Sequence, residues 1–268
     1  MRPNLITRTA AAACLLLALG SASATTAVYN DFSSTDGLTL NGNAAQAGSR
    51  LRLVPFLPSQ SGTAFLNEAL TLDAGTGFQT HFKFHVDTNA GDPTDGFAFL
   101  LQNDGAGVNA LGAGGQGLGY VGLTPSVAVV FRGRNPNLIG VITGGTDPAD
   151  LPIPFQPPGF FSAGESDFYN QPMNAWIDYD AGSTTLKVYL SDTDIQPGDA
   201  VMTASVDLFG TLGTQAYVGF SAGNGGSFGD QDILNWQFTT TPVPEAGTAG
   251  MLALGLLSLG LMRRRAAR

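Results

Sequence analysis

Residues 78–86 read FQTHFKFHV, and this stretch decides the fold class of the chain. Every second position carries a residue suited to a packed strand face, and the positions between them are polar. The first set is Phe78, Thr80, Phe82, Phe84 and Val86, and the second is Gln79, His81, Lys83 and His85. Because side chains alternate between the two faces of a strand, the pattern predicts a half-buried strand of a β-sandwich or barrel.

Short runs rich in Val, Ile, Phe, Tyr and Thr recur through residues 28–240, separated by Gly, Asn, Asp and Pro. They predict about a dozen strands and no convincing helix. No repeat of roughly 33–45 residues is visible, which argues against solenoids and propellers. Between Gly144 and Pro172 lies a long Pro-rich stretch that contains Phe155, Phe160 and Phe161. Loops of that length usually have a function.

The charge distribution excludes one class of partner. The 268 residues include 21 acidic and 12 basic side chains, for a formal net charge of −9 at pH 7. Six of the basic residues are at the two ends of the chain: Arg2, Arg8, Arg263, Arg264, Arg265 and Arg268. An acidic body repels phosphate backbones, so the composition excludes nucleic-acid binding. A hydrophobic content of 43% argues against a disordered chain.

The first 24 residues have the pattern of a signal peptide. Two Arg residues precede an apolar run from Ala10 to Leu19, and Ala22-Ser23-Ala24 offers a small-x-small cleavage site. A buried N-terminal helix is the alternative interpretation. Cleavage would give a mature start at Thr25 and would remove Cys14, the only cysteine, so the mature chain would have no disulfide.

Residues 242–268 have the pattern of a membrane-directed tag. Val243-Pro244-Glu245 is followed by an uncharged stretch over residues 246–262 and then by an Arg cluster, which predicts a transmembrane segment with its basic end in the cytoplasm. This order resembles the PEP-CTERM sorting tag of Gram-negative bacteria, which an exosortase is thought to process. Ala246 stands where the usual motif has Pro. The resemblance implies a protein tethered to the inner membrane for a time and then located at the cell surface or in the extracellular matrix. An ordinary C-terminal anchor is the alternative.

Several blocks between residues 25 and 241 occur in an order that resembles the legume-type (L-type) lectin domain, in its bacterial exported form. They are Tyr29–Phe32 (YNDF), Thr94–Phe99 (TDGFAF), the glycine-rich Gly112–Gly119 (GAGGQGLG), Val127–Val129, Asn174–Leu190, Val206–Leu208, Tyr217–Ala222 (YVGFSA) and Asp232–Phe238 (DILNWQF). The resemblance implies an all-β, concanavalin A-like jelly-roll sandwich of two large antiparallel sheets. It also implies a domain that binds carbohydrate.

One strand departs from the family's pattern. In that family a Glu and, two positions later, an Asp help to hold a calcium and a transition-metal ion. This chain has Val130 and Arg132 at those two places. Neither residue supplies the oxygen ligand that hard cations require, and Arg132 adds a positive charge where the ions would lie. The sequence therefore predicts that the paired metal site is lost and that the domain has no cofactor. An arginine that replaces a cation is an open alternative.

The resemblance also names candidate carbohydrate-binding residues. Asp95 matches the family's Asp, which follows a cis peptide bond and accepts hydrogen bonds from sugar hydroxyls. Gly114 and Gly115 match its glycine-rich sugar loop, and Asn224 lies in its specificity loop. The family's Asn corresponds to Asn135 or to Asn137, and Asn135 is the candidate taken here. These loops are expected to meet at one rim of the sandwich, where Tyr120 or the Phe155–Phe161 segment would supply an aromatic face. The alternatives are a turn-capping Asp95 and a flexible glycine hairpin.

The candidate catalytic and metal-binding residues give little support to an enzymatic function. His81 and His85 lie roughly 13 Å apart on a strand, too far to share one metal ion. Asp178 and Asp180 have roughly the spacing of an inverting glycosidase pair, but nothing marks a cleft around them. The β-glucanases of related sandwiches use two Glu that flank an Asp, and the domain has only Glu68 and Glu165.

Two functional hypotheses remain. The first is a non-catalytic, exported protein that binds glycan or exopolysaccharide at the cell surface or in the extracellular matrix. Asp95 and the glycine-rich loop favour it. The second is a structural matrix protein that has kept the sandwich and lost sugar binding, which Val130 and Arg132 favour.

Overall fold

A computed structural model describes residues 24–88, 94–133, 138–148 and 169–241. The predicted signal peptide, the predicted tag and transmembrane segment, Asn135 and the Phe155–Phe161 segment lie outside these residues, apart from Ala24 at the cleavage site. Within the described residues, no helix has the length and apolar content needed to cross a bilayer.

Two antiparallel sheets make up the described fold, so the predicted all-β sandwich is confirmed. The eight-stranded sheet has the order β13-β12-β11-β7-β15-β4-β3, with β1 paired to β15. Its strands are β1 (Thr26–Tyr29), β3 (Ala45–Ala47), β4 (Arg50–Val54), β7 (Gly77–Val86), β11 (Pro172–Asp180), β12 (Thr185–Ser191), β13 (Met202–Ser205) and β15 (Gln231–Thr241).

The seven-stranded sheet has the order β10-β9-β8-β14-β5-β2, with β6 paired to β14. Its strands are β2 (Leu38–Gly42), β5 (Gln60–Leu66), β6 (Leu70–Thr71), β8 (Gly96–Gln102), β9 (Ser126–Arg132), β10 (Leu138–Thr143) and β14 (Gln215–Asn224). A short helix, α1 (Leu208–Leu212), departs from the all-strand expectation. Asp207 caps it, since its carboxylate accepts the N–H of Gly210 at 2.8 Å.

The core lies between the sheets, and β7 shows why the sequence pattern works. Its five predicted inward residues are buried, and the residues that alternate with them are exposed or partly exposed. The ring of Phe82 contacts the rings of Phe99, Phe131 and Phe220 from the opposite sheet at centroid distances of 6.0, 5.8 and 5.1 Å. Such aromatic pairs add to the stabilisation from burial, which fixes the two sheets face to face.

A second apolar cluster covers the outer face of the seven-stranded sheet. It includes Val130, Leu118 and Tyr120, so the loop between β8 and β9 packs down onto this face. Tyr120, predicted as an aromatic face for a sugar, is fully buried there. Its hydroxyl oxygen accepts hydrogen bonds from the N–H of Gly145 and from the hydroxyl of Ser126. The structure therefore makes Tyr120 a core residue, which corrects that expectation.

Candidate functional site

Asp95 lies immediately before β8, at the rim of the seven-stranded sheet. The residue is only 3% exposed. Its carbonyl oxygen accepts the N–H of Gly133 at 2.9 Å, which ties the start of β8 to the end of β9. The next residue, Gly96, has φ of +122°, and a side chain there would collide with the carbonyl of Phe131. Glycine is thus required at the position that sets the direction of Asp95.

The peptide bond before Asp95 is a departure from the family's pattern. Within the described ranges, the cis peptide bond is Thr124–Pro125, so the bond between Thr94 and Asp95 is trans.

Two glycines border the carboxylate of Asp95. A Cβ atom on Gly225 would lie 2.8 Å from Asp95 Oδ2, and one on Gly115 would lie 3.9 Å from the same oxygen. The same Cβ position on Gly225 is 3.6 Å from the Cα atom of Gly115, so the two backbones approach each other beside the carboxylate. Bare backbone therefore packs beside Oδ2, where a side chain on Gly225 would crowd the carboxylate.

The structure brings Asp95 and Gly115 together, as predicted, and gives Gly114 a different surrounding. A Cβ atom on Gly114 would lie 2.7 Å from the carbonyl oxygen of Gln60, at the start of β5. Gly115 rests on β14, where a Cβ atom on Gly223 would lie 2.5 Å from the Gly115 carbonyl oxygen. Gly114 thus allows the glycine-rich loop to pack against the sheet, and Gly115 faces the carboxylate.

Asn224 lies behind the site and not among the groups that face it. Its side chain is fully buried, and Oδ1 accepts hydrogen bonds from Thr94 Oγ1 and, at 3.0 Å, from Gln231 Nε2. Its Nδ2 donates to three backbone carbonyl oxygens, those of Pro55, Leu57 and Gly229. The amide of Asn224 is hydrogen-bonded to other groups of the protein, which corrects the expectation that Asn224 contacts a sugar. It positions the loops on either side of Gly225 instead.

Two residues near Asp95 were missed by sequence reasoning. Tyr169 is buried, and a side chain on Gly133 would collide with its hydroxyl. Burial raises the pKa of Tyr169, and the nearby Asp95 carboxylate raises it further. No sequence signal marks Tyr169, which follows the Pro-rich stretch. Gly225 did have a signal, because it belongs to the glycine run around Asn224.

The residues at the family's metal-site strand do not fit a bound cation. Val130 is fully buried in the second apolar cluster, and Arg132, which is partly buried, pairs in register with Gly96 beside Asp95. Among the described side chains, no group of three or more His, Cys, Asp or Glu is placed to hold a metal ion. The loop at residues 134–137 is outside this description, so metal independence stays a prediction.

The other carboxylate and histidine pairs have structural surroundings. His81 stacks on Trp176 with ring centroids 4.6 Å apart, and burial lowers its pKa. Asp178 accepts a hydrogen bond from Gln196, and Asp180 accepts hydrogen bonds from Gly182 and Ser183 within its own turn. These contacts give both carboxylates partners within the protein.

The fold consists of two antiparallel sheets, and a buried carboxylate lies beside glycine backbone at one rim. These features are those of a lectin-type β-sandwich. The family model of the legume lectin domain matches residues 25–132 and 163–252, and the chain belongs to this family.

Among solved structures, the chain is similar to the lectin from Bauhinia forficata in complex with GalNAc, with a TM-score of 0.68 and 22% identity over 83% of this chain and 100% of that chain. It is also similar to arcelin-5, a lectin-like defence protein from Phaseolus vulgaris, with a TM-score of 0.66 and 22% identity over 82% and 99% of the two chains. At this level of identity the likeness shows the fold.

Among curated relatives, a probable L-type lectin-domain containing receptor kinase S.7 from Arabidopsis thaliana is 30% identical over 213 residues, which are 68% of this chain and 30% of the relative. A counterpart from Oryza sativa subsp. japonica is 28% identical, over 85% of this chain and 36% of the relative. The chain thus spans about a third of the length of these kinases. An alpha-methyl-mannoside-specific lectin from Arachis hypogaea is 28% identical, over 62% of this chain and 61% of the relative.

Proposed function

We propose that this chain is a non-catalytic carbohydrate-binding protein whose sugar site is the rim around Asp95. The observation that carries the proposal is the placement of Asp95 Oδ2 beside the bare backbones of Gly115 and Gly225. An ionised carboxylate is a strong acceptor for paired hydroxyl groups. Glycine backbone lets a ligand approach closely, so a sugar ring can reach the carboxylate from this side.

The charges of the protein agree with a neutral sugar as the ligand. The net charge of −9 and the Asp95 carboxylate both disfavour a polyanionic glycan.

The test is a glycan array with the purified protein, followed by titration calorimetry of Asp95→Asn. Losing a charged hydrogen-bond partner costs about 1.5–3 kcal/mol, so affinity is expected to fall roughly 10- to 100-fold. Asp199→Asn is the matched control, since Asp199 is an exposed carboxylate in the loop between β12 and β13. Unchanged affinity in Asp95→Asn would disprove this site.

A structural matrix protein is the second candidate, and a specific observation favours it. The family's metal-site strand carries Val130 in an apolar cluster, so this position offers no oxygen ligand to a cation that would brace the sugar loops. A wild-type protein that binds no glycan on the array would select this candidate.

The location of the protein is proposed from its two ends. Residues 1–24 support export, and the resemblance of residues 242–268 to a PEP-CTERM tag supports processing by an exosortase in a Gram-negative bacterium. On this proposal the protein passes through a stage of inner-membrane tethering, by residues 246–262, and ends at the cell surface or in the extracellular matrix.

A further inference from the structure

A cleft opens at the side of the sandwich where the outermost strands of the two sheets meet. Strand β10 ends the seven-stranded sheet, and β13 ends the eight-stranded sheet. Residues of both strands, of the segment after β10 and of α1 line a cavity of about 400 Å³, which is within the size range of small-molecule sites. We name this cavity the edge cleft.

The edge cleft lies away from the Asp95 rim. Arg132, the last residue of β9, pairs in register with Gly96, next to Asp95. Thr143, which lines the cleft, pairs with Val127, five residues earlier on β9 and therefore roughly 17 Å from Arg132 along the strand. The cleft is thus a separate candidate site.

Buried hydrogen bonds hold both walls of the edge cleft. On the β10 side, the N–H of Gly145 donates to the hydroxyl oxygens of Tyr120 and Ser126, at 3.0 and 3.1 Å. On the β13 side, the hydroxyl of Tyr179 donates to the carbonyl oxygen of Val206 at 3.0 Å. A ligand therefore meets walls that are already in place, which lowers the entropic cost of binding.

The polar groups of the edge cleft are hydroxyls and carboxylates. The carboxylates belong to Asp147, which follows β10 and is partly exposed, and to Asp207, which follows β13 and is exposed. Among the described residues that line the cleft there is no Lys, Arg or His. This lining suits a ligand that is cationic and rich in hydrogen-bond donors. The hydroxyl side chains are those of Thr143, Thr146, Ser205 and Thr211.

The apolar part of the lining restricts the ligand further. Val141 and Ile142 belong to β10, while Ala204 belongs to β13 and Val206 follows it. A sugar ring has C–H groups that pack on such side chains and hydroxyls that can bond to the hydroxyl side chains of the cleft. A simple amine would use the carboxylates alone.

We propose that the edge cleft is a second carbohydrate site, selective for a sugar that carries a protonated amino group, a 2-amino-2-deoxyhexose. The ammonium group pairs with the carboxylates that line the cleft, and the ring hydroxyls bond to its threonine and serine side chains. This site uses none of the groups around Asp95, so the proposal goes beyond the proposed function and does not rest on it. With a sugar bound at each site, one molecule joins two glycan chains.

The test is titration calorimetry with glucosamine, glucose and N-acetylglucosamine at about pH 6, where the free amine of glucosamine is protonated. All three sugars are measured on Asp95→Asn, which weakens any binding at the rim. Because both cleft carboxylates are at least partly exposed, glucosamine is expected to bind about 5-fold more tightly than the two neutral sugars.

Two double variants on the same background locate the binding. In Asp147→Asn/Asp207→Asn the preference for glucosamine is expected to vanish, while α1 stays formed because Asp207→Asn keeps a side chain that caps helices well. Asp192→Asn/Asp199→Asn is the matched control, since it removes the same charge from exposed positions between β12 and β13. It is expected to keep the preference.

Several results would overturn the amino-sugar site. They are equal affinities for glucosamine and glucose, a preference that persists in Asp147→Asn/Asp207→Asn, and a preference that is lost in the control. Propylamine that binds as tightly as glucosamine would show a site for simple amines and would overturn the sugar assignment. These results leave the Asp95 site untouched, because that site is tested by its own glycan. If the cleft variant loses cooperative melting, Asp147→Asn alone takes its place.

Discussion

At the scale of single residues, the space beside Asp95 depends on Gly225. A Cβ atom there would lie 2.8 Å from Asp95 Oδ2, whereas a Cβ atom on the neighbouring Gly226 would contact nothing within 4 Å. Gly225→Ala is therefore expected to lower sugar affinity by at least about tenfold through crowding, and Gly226→Ala to leave it unchanged. Calorimetry on the matched pair checks this. Equal affinities in the two variants would place the sugar elsewhere.

Asn224 makes a prediction about stability. Replacing it by Ala leaves buried groups of Thr94, Gln231 and the flanking loops without their partner, and each unsatisfied group costs about 1–3 kcal/mol. We expect Asn224→Ala to lower the free energy of unfolding in urea by about 3 kcal/mol. Asn43, which is exposed and accepts one hydrogen bond from the N–H of Ser61, is the control, and Asn43→Ala should change it by under about 1 kcal/mol. Similar losses in both variants would contradict the positioning role.

At the scale of elements, the position of a strand could be predicted from the sequence where one face is buried and the other is exposed to solvent. The alternation in β7 fixes which side chains enter the core, because a slip of one residue would expose Phe82 and Phe84. Helix α1 was missed because five residues are too few to show a helical period. Asp207 and Gly210, which make its cap, read equally well as a turn.

The candidate site was predictable only in part, for a physical reason. A motif resemblance places Asp95 and Gly115 at one rim, since both lie in short blocks with a recognisable pattern. The direction of the Asn224 side chain depends on Thr94, Gln231 and Pro55, which are distant along the chain. The burial of Tyr120 depends in the same way on Gly145 and Ser126. Contacts between residues that are distant along the chain leave no local pattern in the sequence from which they could be predicted.

Strand β9 makes the prediction about metals. Val130 and Arg132 offer no oxygen ligand, so chelation with EDTA is expected to shift the melting temperature by less than about 2 °C. A protein that held bound ions at such a site would gain stability from them by mass action, and it would melt at a lower temperature after the same treatment. Calorimetric melting with and without EDTA, together with elemental analysis of the purified protein, checks this. A large drop would show that the protein holds a cation through oxygen ligands other than those of the family's metal-site strand.

At the scale of the whole molecule, the two ends carry the prediction of where the sandwich is located. The sequence predicts cleavage after Ala24, which leaves Thr25 at the mature N-terminus with its N–H donating to Thr240 Oγ1 at 2.8 Å. The predicted cleavage site adjoins β1, which begins at Thr26, so cleavage there would leave every strand of the sandwich in the mature protein. Mass spectrometry of the exported form should find Thr25 as the first residue. A product that still carries Met1–Ala24 would contradict the prediction.

The last prediction concerns the C-terminal segment, which we propose tethers the domain to the membrane. Residues 246–262 carry no charge and are followed by Arg263, Arg264 and Arg265, so the segment is expected to stop in the membrane with its basic end inside. Deleting residues 242–268 removes this segment and leaves β15, which ends at Thr241, intact. The truncated protein should move from the membrane fraction to the soluble exported fraction with an unchanged melting temperature. The companion variant replaces Arg263–Arg265 by Ala in the full chain. It keeps the apolar segment and removes three of the positive charges that are expected to hold its end on the cytoplasmic side. A truncated protein that still sediments with membranes would show that the sandwich itself, and not the tag, provides the attachment.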